Sequence, residues 1–373
     1  MKSESAPMQR ALELALRGQG SVEPNPMVGC VLTVGQRVIG EGWHQRFGGP
    51  HAEVEALASV SAEDAGELSQ ATAWVTLEPC CHQGKTGPCT DALIQAGIRR
   101  VVVATLDPNP AVAGQGVAQL RQAGVEVEVG IEEEPALELL APYLMTREED
   151  RPWVIAKWAM TVDGKIATAS GDSQWISGPG SRERVHQLRG RVDAVLVGIG
   201  TALADNPRLT ARPPGPRAPM RVVLDRQAGL PLGSNLVQSA GDGKLLVVVG
   251  EDAPEARCRA LVAAGSHVMR PADWDAAGTG ASTGLEGLLR ECHRRWQWTN
   301  VLVEGGGEVL GSLADEQLID ELHLFVGAQL LGGAEARTPV GGRGAATMAE
   351  ACQLGLQHCE AIENDLYAIY RRR

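Results

Sequence analysis

An α/β chain built from two unlike layered units is what the sequence predicts, and three observations predict it. Short apolar runs suited to strands alternate with stretches of helical periodicity along nearly the whole chain. Glycine and proline, 45 and 21 residues, mark the joins as tight turns do. A length of 373 residues exceeds what one ordinary core encloses.

Met8, Ala11, Leu12, Ala15 and Leu16 recur at helical spacing over residues 8–18, with Gly18 as the stop. Residues 28–34 and 38–42 then read as a hairpin turning at Gly35-Gln36. His51 opens a second helix that runs through Leu57, Ala58 and Val60. Residues 73–77 form a short apolar strand leading straight into Glu78-Pro79-Cys80. A helix over 91–96 meets Gly97 where a C-terminal cap belongs. The strand over 100–105, the helix over 116–123 and the strand over 125–129 complete the first unit.

A helix over 132–145 leads to Thr146-Arg147-Glu148-Glu149-Asp150-Arg151-Pro152, a charged stretch ending at proline that divides the chain into residues 1–147 and 148–373. Beyond it lie a strand over 153–160, a turn at Thr161-Val162-Asp163-Gly164-Lys165, a helix over 182–189 and a strand over 194–198. Further strands are expected at 221–224, 245–249, 300–303 and 322–326. Glu304-Gly305-Gly306-Gly307-Glu308 introduces a helix through Val309, Leu310 and Leu313. No repeat relates the halves, so the chain reads as a fusion and not a duplication.

Composition excludes several classes of function. A net charge of −12, with no dense basic block before residue 180, disfavours binding to nucleic-acid phosphates. Arginines gather at 182, 184, 189, 191, 208, 212, 217 and 221. A solvated helix face accounts for most of them, and one or two suit a small anion such as a phosphate monoester. No run of about 18 apolar residues suggests a membrane span, and the polar start at residues 1–6 lacks the core of a signal peptide. The cytoplasm, a small-molecule substrate and a homo-oligomer are therefore expected. Eight cysteines in so long a chain make no disulfide scaffold, and the cluster Cys80, Cys81 and Cys89 suits metal instead.

The chemistry-bearing motif is His51-Ala52-Glu53, followed by Pro79-Cys80 and Pro88-Cys89. One imidazole and two thiolates suit a tetrahedral Zn²⁺ whose fourth position stays open for water, the arrangement of a catalytic site. Glu53, two residues after the histidine, is placed to move protons and not to bind metal. Together they form the signature of hydrolytic deamination of an amino-substituted ring. Cys89 follows Pro88, which favours a helix start, where the dipole stabilises a thiolate. Eight residues separate Cys80 from Cys89, where the general pattern has two. Cys81-His82 within that insert either substitutes as ligand or forms a loop wall.

These residues resemble a known family. His-Ala-Glu-Val-x-Ala-Leu, the Thr-Leu-Glu-Pro-Cys run before Pro-Cys, Pro24-Asn25-Pro26-Met27-Val28-Gly29 and Asp107-Pro108-Asn109-Pro110-x-Val112-Ala113-Gly114-x-Gly116 are similar to the bifunctional deaminase/reductases of bacterial riboflavin biosynthesis. Cys81 and Gly87 depart from the commoner serine and proline. The resemblance implies an N-terminal cytidine-deaminase-like α/β/α domain and a C-terminal dihydrofolate-reductase-like α/β domain that uses NADPH. It places Asn25 in the first substrate pocket and has the insert grip a pyrimidine carrying a ribose phosphate.

In the second half, Thr161-Val162-Asp163-Gly164-Lys165, Gly171-Asp172-Ser173-Gln174-Trp175-Ile176, Gly198-Ile199-Gly200-Thr201, Asp205-Asn206-Pro207-x-Leu209-Thr210-x-Arg212 and Val303-Glu304-Gly305-Gly306 carry the likeness. The residues alone offer only a glycine turn suited to phosphate and a good turn former at Asp163. The resemblance sets Ala159, Trp175, Thr201, Asp205 and the turn Gly306, Gly307, Glu308, Val309, Leu310, Gly311 and Ser312 against the nucleotide. It sets Ser173, Arg189, Leu209, Arg212 and Glu304 against the substrate, with the arginines reading its phosphate. The implied sequence is zinc-dependent deamination of a pyrimidinone ribosyl phosphate, then NADPH reduction of the ribosyl chain to ribityl.

Overall fold

The computed structural model of the chain describes residues 5–83, 87–109, 113–271 and 284–373. It forms two compact units, Met1–Glu149 and Asp150–Arg373. Both are α/β, as the alternation of apolar runs and helical periods predicts.

The first unit contains α1 (Ala6–Leu16), β1 (Gly29–Val34), β2 (Arg37–Trp43), α2 (Ala52–Ala58), β3 (Thr72–Val75), α3 (Cys89–Gln95), β4 (Arg100–Val103), α4 (Gln115–Gln122), β5 (Glu126–Val129) and α5 (Glu133–Glu148). Its sheet runs β2-β1-β3-β4-β5; β1 is antiparallel to both neighbours, and β3, β4 and β5 are parallel. Successive strand residues face opposite layers. Leu32, Val75 and Val103 pack with Ala52 and Ala56 of α2, Leu93 of α3 and Leu120 of α4. Their neighbours Val31, Trp74 and Val102 pack with Met8, Ala11 and Leu14 of α1 and Ala136 of α5. Strands covered on both faces read as continuous apolar runs, which made them visible in the sequence.

Helix ends differ from expectation in several places: α1 spans Ala6–Leu16 and not 8–18, α5 runs on to Glu148 past 145, and the helix expected at 182–189 starts at Pro179. The second helix stops at Ala58, short of Val60, because the Ser59 hydroxyl donates back to the Ala56 carbonyl at 2.7 Å. The third begins at Cys89, two residues earlier than Asp91, with Pro88 as its N-cap. A 3₁₀ turn at Ala65–Gln70, between α2 and β3, had no signature in the pattern.

The second unit contains β6 (Trp153–Thr161), α6 (Pro179–Arg189), β7 (Ala194–Gly198), α7 (Ile199–Asp205), β8 (Met220–Leu224), α8 (Asn235–Gln238), β9 (Leu245–Val248), α9 (Glu255–Ala263), β10 (His267–Met269), α10 (Leu285–Trp296), β11 (Asn300–Val303), α11 (Gly307–Asp315), β12 (Glu321–Gly327), β13 (Leu354–Ile362) and β14 (Asp365–Arg372). Its nine-stranded sheet runs β10-β9-β8-β7-β11-β6-β12-β14-β13 and is parallel from β10 to β12. The last two strands form an antiparallel hairpin on β12. One core joins Ala156, Leu196, Val222, Leu246 and Val303 of the sheet to Leu288 and Leu289 of α10 and Leu310 and Leu313 of α11. Asp320, 1% exposed, accepts both arms of the Arg151 guanidinium at 2.7 and 2.9 Å and the Val154 amide at 2.8 Å, locking the start of β6 to β12.

The arginines at 182–221 are not mainly a solvated face. Arg221 is 2% exposed and held by Ser239 and Asp242, and Arg217 pairs with the buried Asp193. Among the described residues no helix is long and apolar enough to cross a membrane.

Backbone contact sets the position of α2. A Cβ at Gly42 would lie 2.2 Å from the Ala56 nitrogen and 2.5 Å from the Ala52 carbonyl oxygen, so only glycine on β2 admits the helix this closely. Gly42→Ala should therefore destabilise the first unit by about 1–3 kcal/mol, as overpacking of a rigid contact does. Gly66→Ala, where an added Cβ meets nothing within 4 Å, should shift the denaturant midpoint little.

Candidate active sites

In the first unit, three segments converge on one point. His51 is the N-cap of α2, in extended backbone just outside the helix, and Glu53 lies in the first turn. Cys80 sits on the loop after β3, and Cys89 is the first residue of α3. His51 Nδ1 lies 3.5 Å from Cys80 Sγ and 3.2 Å from Cys89 Sγ, and all three donor atoms fall within 4.8 Å of one another. The start of α3 organises Cys80: the Cys89 amide donates to its sulfur at 3.4 Å, and the Thr90 amide to its carbonyl at 3.2 Å.

Crowded thiols and imidazole share few protons. A hydrogen bond from Cys89, aided by His51, lowers the Cys80 thiol to about 4, while the same pairing and burial push Cys89 well up. His51 is raised by its bond to Cys80. Such a cluster favours replacement of its protons by a cation, and one nitrogen with two sulfurs is the donor set of zinc. Glu53 is outside that set, 3% exposed, its carboxyl raised to about 7 by burial and by the Cys80 thiolate.

A cavity of about 290 Å³ opens over these residues, lined by Asn25, His44, His51, Glu53, Cys80 and His82 together with Asp107, Asn109, Tyr143 and Arg147. His44 escaped the sequence reading. Its Nδ1 meets the Pro50 carbonyl at 2.8 Å, so Nδ1 carries the proton and Nε2 accepts from Asn25 Nδ2 at 3.1 Å. Burial lowers its pKa, consistent with that neutral form. Glu78, also overlooked, is 3% exposed and accepts the amides of Asp107, Gly114 and Val117 at 3.2, 2.9 and 3.0 Å. It thereby ties Asp107, Gly114 and Val117 to the loop that carries Cys80. Pro110 and Val112 of that motif lie outside the described residues. His82 lines the cavity, whereas Cys81 is neither in the donor set nor among the lining residues.

In the second unit, the resemblance residues fall into two groups. Glu304, just after β11, accepts Arg189 Nε at 2.5 Å and Nη2 at 2.8 Å, and Lys157 Nζ at 3.3 Å. Arg189 also reaches the Thr210 carbonyl at 3.3 Å, and Arg212 donates to Thr210 Oγ1 at 2.9 Å. Leu209, buried with φ of 53°, turns the chain between them. Arg189, Leu209, Arg212 and Glu304 are thus neighbours. Lys157, a lone cation in an apolar strand, is the member that sequence reading missed; Ala159 shares its face of β6. Asp205 lies close enough to feel the Lys157 charge, though half-burial raises its pKa.

The other group surrounds the glycine turn. A Cβ at Gly306 would lie 3.1 Å from Thr201 Oγ1, so Thr201 rests against the turn. Gly306 N-caps α11 without any side-chain cap, leaving first-turn amides suited to a phosphate of a dinucleotide. Of the run to Ser312, Leu310 is in the core and Gly311 lies beneath the Gly341–Gly342 backbone, while Val309 packs toward Gly198. Trp175 stands apart, 63% exposed under the Arg182 guanidinium at 4.6 Å. Among the described residues no hydrogen bond joins Ser173 or Trp175 to the Arg189–Glu304 group.

Two outcomes follow. Wild-type protein should carry about one zinc per chain, and Cys89→Ser should lose most of it by metal analysis, since two remaining ligands hold zinc poorly. Burial alone would raise Glu304, yet Arg189 and Lys157 bring its carboxyl down from 4.5 to about 2. A depressed folded-state value stabilises above the unfolded pKa and is lost as pH falls. About 3 kcal/mol of stability in the second unit should therefore disappear between pH about 4.5 and 2. Glu304→Gln should remove that pH dependence in denaturant unfolding.

Residues 1–105 match the family described as the cytidine and deoxycytidylate deaminase zinc-binding region, and residues 152–368 match the RibD C-terminal domain. The riboflavin biosynthesis protein RibD of Actinobacillus pleuropneumoniae is 40% identical over 367 residues, covering 97% of this chain and 94% of that one. RibD of Escherichia coli is 37% identical over 342 residues, covering 87% and 88%. Acinetobacter baumannii RibD superposes with a TM-score of 0.84 at 35% identity, covering 100% of this chain and 99% of that one. The Thermotoga maritima diaminohydroxyphosphoribosylaminopyrimidine deaminase/5-amino-6-(5-phosphoribosylamino)uracil reductase does so at 0.80 and 36%, with the same coverage. A deaminase-type zinc triad in one unit, a RibD C-terminal domain in the other and likeness to RibD along the whole length agree: the chain belongs to the RibD family of riboflavin biosynthesis proteins.

Proposed function

We propose that this bifunctional enzyme deaminates 2,5-diamino-6-ribosylamino-4(3H)-pyrimidinone 5′-phosphate in residues 1–147 and reduces the product with NADPH in residues 148–373, giving 5-amino-6-ribitylamino-uracil 5′-phosphate. The observation that carries the reading is the His51–Cys80–Cys89 triad with a buried, non-ligating Glu53 beside it in a ring-sized cavity. The Thermotoga relative named for both reactions supports the same substrate.

When bound, zinc supplies a Lewis acid and acidifies its water. The chain's part is proton movement and positioning. Glu53, buried beside the donor set, can take one proton and deliver it to a ring nitrogen, then take a second and deliver it to the departing amine. Asn25, oriented by His44, presents one amide edge to the pyrimidine. Glu78 holds the Asp107 amide, Asp107 in turn accepts the Asn109 amide, and all three residues line the cavity with Glu53.

NADPH supplies a hydride when bound. The uncapped start of α11 and Thr201 would receive its phosphates, and Ala159, Trp175 and Asp205 its remaining groups. The two arginines divide their work. Arg189 is committed to Glu304 and the Thr210 carbonyl and fixes the carboxylate, whereas exposed Arg212 is the one available for the substrate phosphate. Ser173 and Leu209 complete the substrate side.

Purified, zinc-loaded protein should release ammonia from the diaminopyrimidinone ribosyl phosphate without NADPH and oxidise NADPH only after that release. Absence of ammonia would overturn the deaminase assignment. Glu53→Gln should slow deamination by about 10²–10⁴-fold. It should leave zinc content and reduction of the deaminated intermediate unchanged; loss of zinc would instead make Glu53 a ligand.

A further inference from the structure

Asp163 stands on the turn after β6, touches none of the groups assigned above, and holds together two loops. Its Oδ1 accepts the Thr161 hydroxyl at 2.6 Å and the Leu331 amide at 3.1 Å, and its Oδ2 accepts the Gly332 amide at 2.7 Å. These bonds hold its carboxyl at about 2, so it is ionised at any physiological pH. Around it the 161–176 segment lies along 327–337 through further bonds. Val162 donates to the Gln329 carbonyl at 2.9 Å, Ile166 to the Arg337 carbonyl at 2.9 Å, and Lys165 Nζ to the Ala336 carbonyl at 3.3 Å.

The far end of that segment bears Ser173 and Trp175. Gln329 Nε2 donates to the Trp175 carbonyl at 2.8 Å and to the Ile176 carbonyl at 3.3 Å. A Cβ at Gly327 would come within 1.9 Å of the Ile176 carbonyl oxygen, so the two strips touch backbone to backbone there. Trp175 itself is held by its carbonyl and by the Arg182 stack, and the residue is 63% exposed. A large exposed ring on a loop tied down at two points is a preformed surface whose placement depends on those ties.

We infer that Asp163 is a positioning residue of the reductase: its carboxylate clamps the 327–333 strip, and through Gln329 that strip presents the Trp175 loop to the nicotinamide nucleotide. The inference rests on the reading of Trp175 as a cofactor contact. Without the clamp the loop samples other placements. Apparent cofactor affinity then falls by the fraction of time the loop is in place, while the bound complex reacts as before.

NADPH fluorescence titration and steady-state reduction of the deaminated intermediate test this on the full-length, zinc-loaded chain. Asp163→Asn keeps the shape and removes the charge and one acceptor site. It should raise both the Kd and the KM for NADPH by about tenfold, with kcat within about twofold. Asp163→Glu should restore part of the affinity, and ammonia release should be unchanged throughout. Gln329→Ala, cutting the other tie, should weaken NADPH binding alike, and combining it with Asp163→Asn should add less than the sum of the single effects. It also serves if Asp163→Asn does not fold. An unchanged Kd in both single variants, or a fall in kcat at constant KM, overturns the positioning role. Wild-type protein that fails to bind NADPH would remove the cofactor reading itself, and this inference with it.

Discussion

The first site depends on a backbone-to-backbone contact. Gly42 on β2 lets α2 approach so closely that no side chain fits between them, and Gly40 opens the same path beside the Ala56 carbonyl. A helix seated on backbone has no rotamer freedom with which to slide or roll. Its N-terminus, and so His51 and Glu53, is fixed relative to β1 and β3, which leads into Cys80. The three donor atoms are thereby held within 4.8 Å of one another. Glu78 extends the same rigidity to Asp107, whose amide it carries with those of Gly114 and Val117.

The second unit solves a related problem with charge. Glu304 is buried, and its desolvation is offset only because Arg189 meets it with two bonds and Lys157 adds a third. Breaking one partner of such a buried group costs more than the pair gains over an apolar replacement. The cluster therefore ties β6, α6 and the β11 exit into one arrangement. Asp163 and Asp320 repeat the device at the strip beside Trp175 and at the start of β6. In each case a carboxylate collects main-chain amides or a guanidinium from a segment distant in sequence.

Legibility in the sequence followed the physics of burial. Strands covered on both faces, such as β4, β7 and β9, stood out as apolar runs. The final hairpin did not, because β13 is an edge strand with most of its residues exposed and so has little apolar alternation. α10 escaped although Leu285, Leu288, Leu289 and Cys292 recur at helical spacing. α7 is short and follows β7 without an intervening turn signal. His51, Glu53, Cys80 and Cys89 were readable because metal chemistry restricts residue type and order together. His44, Glu78, Tyr143 and Lys157 were not, since a histidine hydrogen-bonded to a carbonyl, or a glutamate collecting amides, has no signature in its neighbours.

The sequence by itself determined the class of each layer, the donor set of the metal centre, the separation of Glu53 from that set and the family resemblance. All of these rest on residue type and short spacing. Only tertiary structure decided which polar groups surround the chemistry: His44 turning Asn25, Glu78 bracing Asp107, Lys157 joining Arg189 on Glu304, and Asp163 clamping a strip more than 150 residues away. Such pairings obey distance and burial in three dimensions, and the chain's order encodes neither directly.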